Sequence, residues 1–325
     1  MRRREFISLL GGAAAWPLAA SARQLRMPVV GFLNAGSSVA YAKQVTGFRE
    51  GLSKTGYVEG HNVLIEYRWA EGNNERLTAL AADLVQRHVA VIAATTLTAA
   101  PAAKAATRII PIVFLIGGDP VELGFVESMD RPRGNMTGVA VLNVELIAKR
   151  LELLHELVPK ADAVAVLVNP NSAYTNPETS HVREAGLAVG VKVLVLAASN
   201  ENEIVVAFEN LVRQKVGALI VSADPFFTSR RDQVVALAAR YSIPTGYQWR
   251  DFSEIGGLVS YGADRVDIYR QTGVYVGRIL GGVHPSDLPV VQPTKFELVI
   301  NLKTAKALDL AIPQALLATA DELIE

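Results

Sequence analysis

The sequence predicts an α/β fold of two doubly wound, Rossmann-like lobes joined by a multi-strand hinge. Three observations carry that prediction. Short apolar runs alternate with helix-period stretches in two successive series. The series are separated by a break at Arg131-Pro132-Arg133-Gly134-Asn135. After Ser260 the alternation stops, and prolines punctuate an extended tail. Strand–helix alternation implies parallel sheets with right-handed crossovers. A chain of 325 residues is also too long for one typical core and suits two. An eight-unit barrel would alternate in the same way; the break in the middle favours two lobes.

Each element has its own local reason. Met27–Leu33 is a continuous apolar run that stops at the polar turn Asn34-Ala35-Gly36-Ser37-Ser38, as suits a strand buried on both faces. Ala42–Lys54 carries Val45, Phe48 and Leu52 near helical spacing, and Gly56 closes it. Strands follow at Val63–Tyr67, Val89–Ala93 and Ile109–Leu115, with helices near Asn74–Arg87 and at Leu97–Thr107. The second series opens with a helix over Glu145–Pro159, capped from Asn143, whose Ile147, Leu151, Leu154 and Val158 share a face. Strands at Ala163–Val168, Val191–Leu196, Ala218–Ser222, Pro244–Tyr247 and Gly257–Ser260 alternate with helices at Pro177–Val189, Glu201–Gln214 and Arg230–Tyr241. The tail reads as a helix at Val266–Leu280, a proline-marked extended stretch, a strand at Phe296–Ile300 and a helix at Leu302–Leu308. Such a tail suits a chain that crosses back between lobes to build a hinge.

Residues 1–22 read as an address. Arg2, Arg3 and Arg4 precede a modest apolar stretch, and Ala20-Ser21-Ala22 supplies an A-x-A cleavage site, the three-part layout of a signal peptide. Arg3-Arg4-Glu5-Phe6 also fits a twin-arginine motif, and the sequence leaves open whether export uses that route or the general one. Cleavage takes three of the 32 basic and one of the 32 acidic residues, leaving 29 and 31, a formal −2. Such a balance lacks the basic excess of a nucleic-acid binder. With no cysteine, disulfides, thiolate metal sites and a lipid anchor on a mature N-terminal cysteine are excluded. The expected product is periplasmic, with no direct membrane anchor and no nucleic-acid partner.

Ligands of doubly wound sheets bind beyond the carboxyl ends of the strands, so the residues there are the candidate site. They are Asn34, Ser37 and Ser38 after the first strand, Thr95, Thr96 and Thr98 after the third, and Asp119 after the fourth. In the second series they are Asn169 and Tyr174, then Asp224 and Phe226, then Tyr247 and Trp249. Three threonines at a helix start offer hydroxyls and free N–H groups to an anion, or simply cap the helix. Asp119 and Asp224, each before a proline, offer carboxylates to an ammonium group, or cap their downstream helices. Phe226, Tyr247 and Trp249 offer apolar faces to a ligand, or pack in the core. Together these groups match a small carboxylate-bearing, amino-acid-like molecule, aromatic ones included.

Catalytic and cofactor signatures are missing. His61, His88, His155, His181 and His284 are scattered. The chain has no G-x-S-x-G elbow, no phosphate loop and no G-x-G-x-x-G turn. No cofactor, no metal and no enzymatic activity are therefore expected.

The stretches Ile110–Phe114 with Asp119-Pro120-Val121, Gly256-Gly257-Leu258 through Ser260-Tyr261-Gly262, and Asp287-Leu288-Pro289 through Asn301-Leu302-Lys303-Thr304-Ala305 resemble the ABC-importer substrate-binding proteins of the tryptophan/tyrosine type. The resemblance spans residues 27–325 and is most specific in the tail QPTKFELVINLKTAKALDL. It implies the type I periplasmic binding protein architecture, a cleft that closes on its ligand, and an ABC importer permease as partner. It also implies three chain crossings, placed near Val141, Tyr261–Gly262 and Val291–Pro293. The lobes then comprise 27–141 plus 263–292 and 142–262 plus 293–325. Two other functions remain compatible with the sequence: a periplasmic ligand sensor for a membrane receptor, and an exported enzyme.

Overall fold

The computed structural model describes residues 27–325, so the export segment read from residues 1–22 lies outside the described residues. The first sheet alternates β1 (Val29–Asn34), α1 (Ala42–Lys54), β2 (Leu64–Trp69), α2 (Arg76–Gln86), β3 (Val91–Ala94), α3 (Ala99–Ala106), β4 (Ile112–Ile116) and β5 (Met136–Ala140). Its five strands are all parallel, in the order β2-β1-β3-β4-β5. The second begins with α4 (Asn143–Leu157), β6 (Ala163–Val168), α5 (Thr175–Val189), β7 (Lys192–Ala197), α6 (Glu201–Arg213) and β8 (Ala218–Val221). It continues through α7 (Pro225–Ser229), α8 (Arg231–Arg240), β9 (Thr245–Tyr247), α9 (Arg250–Glu254) and β10 (Val259–Ala263). After α10 (Arg265–Leu280), the chain returns as β11 (Phe296–Asn301), α11 (Leu302–Ala307), α12 (Gln314–Thr319) and β12 (Glu322–Ile324). This sheet runs β12-β11-β10-β9-β8-β6-β7 and is parallel except where β11 lies antiparallel to β10. Two doubly wound parallel-sheet lobes are therefore the architecture, as the alternation predicts.

The continuous apolar runs result from helices on both faces of each sheet. In β4, Ile112, Phe114 and Ile116 pack toward α2 and α3, whereas Val113 and Leu115 pack toward α1 and α10. In β6, Val164, Val166 and Val168 join one core, and Ala165 and Leu167 the other. A strand covered on both sides has no polar face to show. The helices obey local rules. In α6, Asn200 accepts from the Glu203 amide at 3.0 Å, and Glu203 reaches back to the Ser199 amide at 2.7 Å. That reciprocal cap starts a helix whose buried face is Ile204, Ala207, Phe208 and Leu211.

Strand β5 falls where the sequence pattern has only the break before Asn143. Its Met-Thr-Gly-Val-Ala composition is a poor strand signal. Gly138 is there because a Cβ at that position would collide with the carbonyl of Phe114 on β4. Helix α9 and strand β12 are likewise too short to carry a period.

Helix α10 comes directly after β10 of the second sheet but packs against α1, β3, β4 and β5 of the first. Its contact with α1 is a backbone-to-backbone crossing. A Cβ on Gly51 would collide with the carbonyl of Arg270, and one on Gly273 with the carbonyl of Phe48. The segment after α10 stays with the first sheet, where Val291 pairs with Val139. The chain thus passes between sheets three times: after Ala140, after Ala263, and between Val291 and Phe296. At the first passage Leu142 adopts a left-handed conformation, φ 52°, which a leucine adopts only where its surroundings impose it. Among the described residues, no helix is long and apolar enough to cross a membrane.

Candidate functional site

A cleft lies where the two sheets present their carboxyl ends to one another, which is where doubly wound sheets hold their ligands. The first lobe contributes Tyr41, Thr95, Thr96, Gly117, Arg265 and Tyr269 to its wall, and the second contributes Asn143, Tyr174, Asp224 and Trp249. The site is polar at two poles and aromatic between them.

The anionic pole is Asp224, which β8 delivers at its carboxyl end. Its Oδ1 accepts from the side chain of Asn169 at 3.1 Å and from the amide of Phe226 at 2.8 Å, so it also caps α7. No basic group lies within ion-pair distance of it among the described residues. Burial, only partly offset by those hydrogen bonds, raises its carboxyl above the ordinary range. A buried carboxylate without a counter-ion costs free energy that a cationic ligand can recover.

The cationic pole is Arg265, the first residue of α10 after the cap Asp264. Its guanidinium is 4% exposed and lies between two rings, 4.8 Å from the centroid of Tyr41 and 5.3 Å from that of Trp249. One nitrogen meets Asp251 at 3.1 Å, and Nε and Nη2 find no acceptor among the described residues. Burial works against both members of that pair. The attraction outweighs it, holding Asp251 below and Arg265 above their ordinary values. Beside Arg265, the amides of Thr96, Leu97 and Thr98 at the start of α3 also lack acceptors among the described residues. Between the poles, burial raises the Tyr41 hydroxyl, which feels both Arg265 and Asp224.

Of the residues expected from the sequence, Thr95, Thr96, Tyr174, Asp224 and Trp249 line this cavity. Asn34 and Asn169 stand behind them. Asn34 donates to the Thr95 hydroxyl at 2.8 Å, and Asn169 holds Asp224. Tyr174 reaches across from the second lobe to accept from the Gly117 amide at 3.2 Å, and its ring leaves no room for a Cβ at Gly118.

The other expected residues are turned elsewhere. Ser37 accepts from the Ala40 amide, and Ser38 is exposed to solvent. The Thr98 hydroxyl donates to Asn74. Asp119 receives the amides of Val121 and Glu122 and so closes a turn; no helix follows it, contrary to the capping alternative. Tyr247 is fully buried and stacks on Phe252 with ring centroids 4.7 Å apart, and Phe226 packs against Phe227. Both serve the core of the second lobe: Tyr247 is on the inward face of β9, and Phe226, on the short helix α7, packs against the same cluster.

Tyr41, Asn143, Arg265 and Tyr269 were not expected. Tyr269 donates to the Thr95 carbonyl at 2.9 Å, and Asn143 lies at the first chain crossing. A signal for Arg265 exists in the sequence: a cation in the first turn of a helix opposes the helix dipole and calls for a reason.

Beneath Asp224, Glu178 of α5 is buried and accepts from the Ala223 amide at 3.3 Å. Burial and the nearby Asp224 push its carboxyl up to about 7, against the pull of Arg150 and that amide. In the unfolded chain it titrates near its ordinary value of 4.5. Between these values the folded protein holds a proton that the unfolded chain has released. Stability from this group is therefore complete below the lower value, falls as pH rises through the window, and is constant above it. Glu178→Gln is expected to remove that fall. Its unfolding free energy relative to wild type should grow by about 2–3 kcal/mol from pH 5 to pH 8 in urea titrations.

Among the described residues no cluster of three or more His, Cys, Asp or Glu is placed to hold a metal ion. The family model described as "ABC transporter substrate binding protein" matches residues 30–324. A tyrosine-binding protein of Clostridioides difficile (strain R20291) is 29% identical over 268 residues, 82% of this chain and 77% of that one. The structure of an ABC domain in complex with L-tryptophan from Streptococcus pneumoniae superposes with a TM-score of 0.83 at 25% identity, over 91% of this chain and 99% of that one. A ligand-free, open substrate-binding protein from Clostridium difficile, also 25% identical and covering 92% and 99%, superposes with a TM-score of only 0.66.

Proposed function

The chain belongs to the family of ABC transporter substrate-binding proteins, which are solute binders and not enzymes, and from that premise we propose that it captures an α-amino acid with an aromatic side chain for an importer. The ligand carboxylate meets the open donors of Arg265 and the free amides at Thr96–Thr98. The ammonium meets Asp224, and the side chain lies among Tyr41, Tyr174, Trp249 and Tyr269. The observation that carries this reading is the pairing of two opposite, incompletely satisfied poles within one cavity between the lobes. A zwitterion completes both. The tyrosine and tryptophan associated with the two relatives support the aromatic class.

Calorimetric titration of residues 23–325 with L-tyrosine, L-tryptophan, indole-3-propionate and tryptamine tests the reading. Tight binding of an intact amino acid, with large losses when either charged group is deleted from the ligand, is expected. Equal binding of indole-3-propionate and L-tryptophan would remove Asp224 from the site. We further propose that the importer's permease receives the loaded, closed form, and that the protein reaches the periplasm after loss of residues 1–22. N-terminal sequencing of the native protein should begin at Arg23; full-length protein in the cytoplasm contradicts export.

A further inference from the structure

Beside the chain crossing at Ala263, a short helix bridges the two lobes. Helix α9 belongs to the second lobe, packing on β9, β10 and β11. Every polar group it presents across the cleft meets α1 or the start of α10 in the first lobe. Asp251 pairs with Arg265 at 3.1 Å, and Gln44 approaches its other oxygen at 3.5 Å. Glu254 pairs with Lys43 at 2.6 Å. Trp249, just before the helix, lies over the guanidinium of Arg265. The Arg265–Asp251 pair is withdrawn from water, at 4% and 12% exposure, whereas Lys43 is 65% exposed. The outer pair therefore contributes little and the inner one is the strong contact.

These contacts join the two lobes to each other, and one of them ends on the cation of the candidate site. A guanidinium fixed on one edge by Asp251 and on its faces by Tyr41 and Trp249 presents its remaining donors to the cavity. When the lobes part, Asp251 and Trp249 leave together, and only Tyr41 of the three remains with Arg265. We propose that α9 is an inter-lobe latch in which Asp251 positions Arg265 from the opposite lobe, so that the cation is aimed at the ligand only when the cleft is shut. Asp251 is a positioning residue. It rests on the reading that Arg265 takes the ligand carboxylate, and it adds that closure and recognition strengthen each other through one ion pair. Part of the closed state is then held without any ligand, and ligand release waits for the latch to break.

The chain has no cysteine, so paired spin labels can be placed without background. One label goes at Val39 in the first lobe and one at Leu187 in the second, 84% and 83% exposed. Without ligand, the wild-type distance distribution should contain a closed population. Asp251→Asn should lower the closed-to-open ratio about tenfold. Lys43→Ala should change it less than about twofold, and Asp251→Glu should restore most of it. A distribution unaltered by Asp251→Asn overturns the latch. If that variant does not fold, Arg265→Gln, which breaks the same pair from the other lobe, carries the same expectation for the ligand-free distances.

With L-tryptophan as probe, Asp251→Asn should raise the dissociation rate about tenfold and change the association rate less than about threefold. A loss shared equally by both rates means damage to the open site and overturns the positioning role. Failure of the wild type to bind L-tryptophan counts against the ligand assignment alone, and the label distances still decide the latch.

Discussion

Arg265→Ala is expected to weaken L-tryptophan or L-tyrosine binding at least about a hundredfold, and tryptamine binding only about tenfold, the share owed to the broken inter-lobe pair. Losing a hydrogen bond to a charged group costs about 1.5–3 kcal/mol, roughly ten- to over a hundredfold in affinity. Two further losses accompany it here. Asp251 is left buried without its counter-ion, and the gap between Tyr41 and Trp249 admits water to the pole. Tryptamine has no carboxylate, so it loses only what the inter-lobe pair contributes to closure. The reciprocal substitution, Asp224→Asn, should spare indole-3-propionate and penalise the intact amino acid. Calorimetry of two variants against three ligands reads the whole pattern, and circular dichroism shows that the variants fold. Equal losses for all three ligands with Arg265→Ala would mean that the arginine shapes the cavity rather than binding a carboxylate.

Alanine at Gly51 or Gly273 should destabilise the protein by about 3 kcal/mol or more. A single added methyl usually costs about 1–3 kcal/mol through overpacking, because neighbouring side chains rotate away. At these two positions the neighbours are carbonyl oxygens of the facing helix, which cannot rotate away. The helices α1 and α10 must separate along their length, opening the core around Phe48, Leu52 and Val276. With total stabilities of about 5–15 kcal/mol in natural domains, the double substitution should leave the first lobe unfolded at ordinary temperature. The contrast is Gly56→Ala, where no atom lies within 4 Å of the added carbon and the cost comes from its left-handed backbone alone. Urea denaturation of the three variants would rank them. A Gly273→Ala variant as stable as wild type would mean that the two helices pack further apart than these contacts require.

The fold was legible because its strands are covered on both faces. Runs such as Ile112–Ile116 and Ala163–Val168 have no polar alternation to confuse them with surface strands. Short or glycine-bearing elements escaped for the opposite reason: Met136–Ala140 is recognisable only once its closeness to β4 is known. For the site, the residues just beyond the strand ends include Thr95, Thr96 and Asp224, because polar residues at buried strand ends have few other uses. The same positions also hold Asp119 and Tyr247, since turn residues and core aromatics occupy the same places in a sequence. Arg265 escaped because the apolar composition of its preceding strand stops at Ser260, whereas pairing with β11 carries that strand to Ala263. The residues just past that point read as hinge, and only the three-dimensional crossing turns a hinge residue toward the cleft.

The packing of α10 onto α1 also bears on the order in which the molecule can be built. Gly51 and Arg270 touch across more than two hundred residues of chain, and Arg270 pairs with Glu50 across the same span. A ribosome delivering this protein therefore releases five strands of the first lobe long before the helix that covers one face of them. Until that helix emerges, Phe32, Val113 and Leu115 have only α1 to bury against on that side. The second lobe is similarly unfinished, since β11 and β12 come later still. Contacts of such long range fold slowly, and neither lobe closes its core until synthesis is almost done. The lobe that begins the sequence thus gains no head start from being made first, and both are completed within the same final stretch of chain.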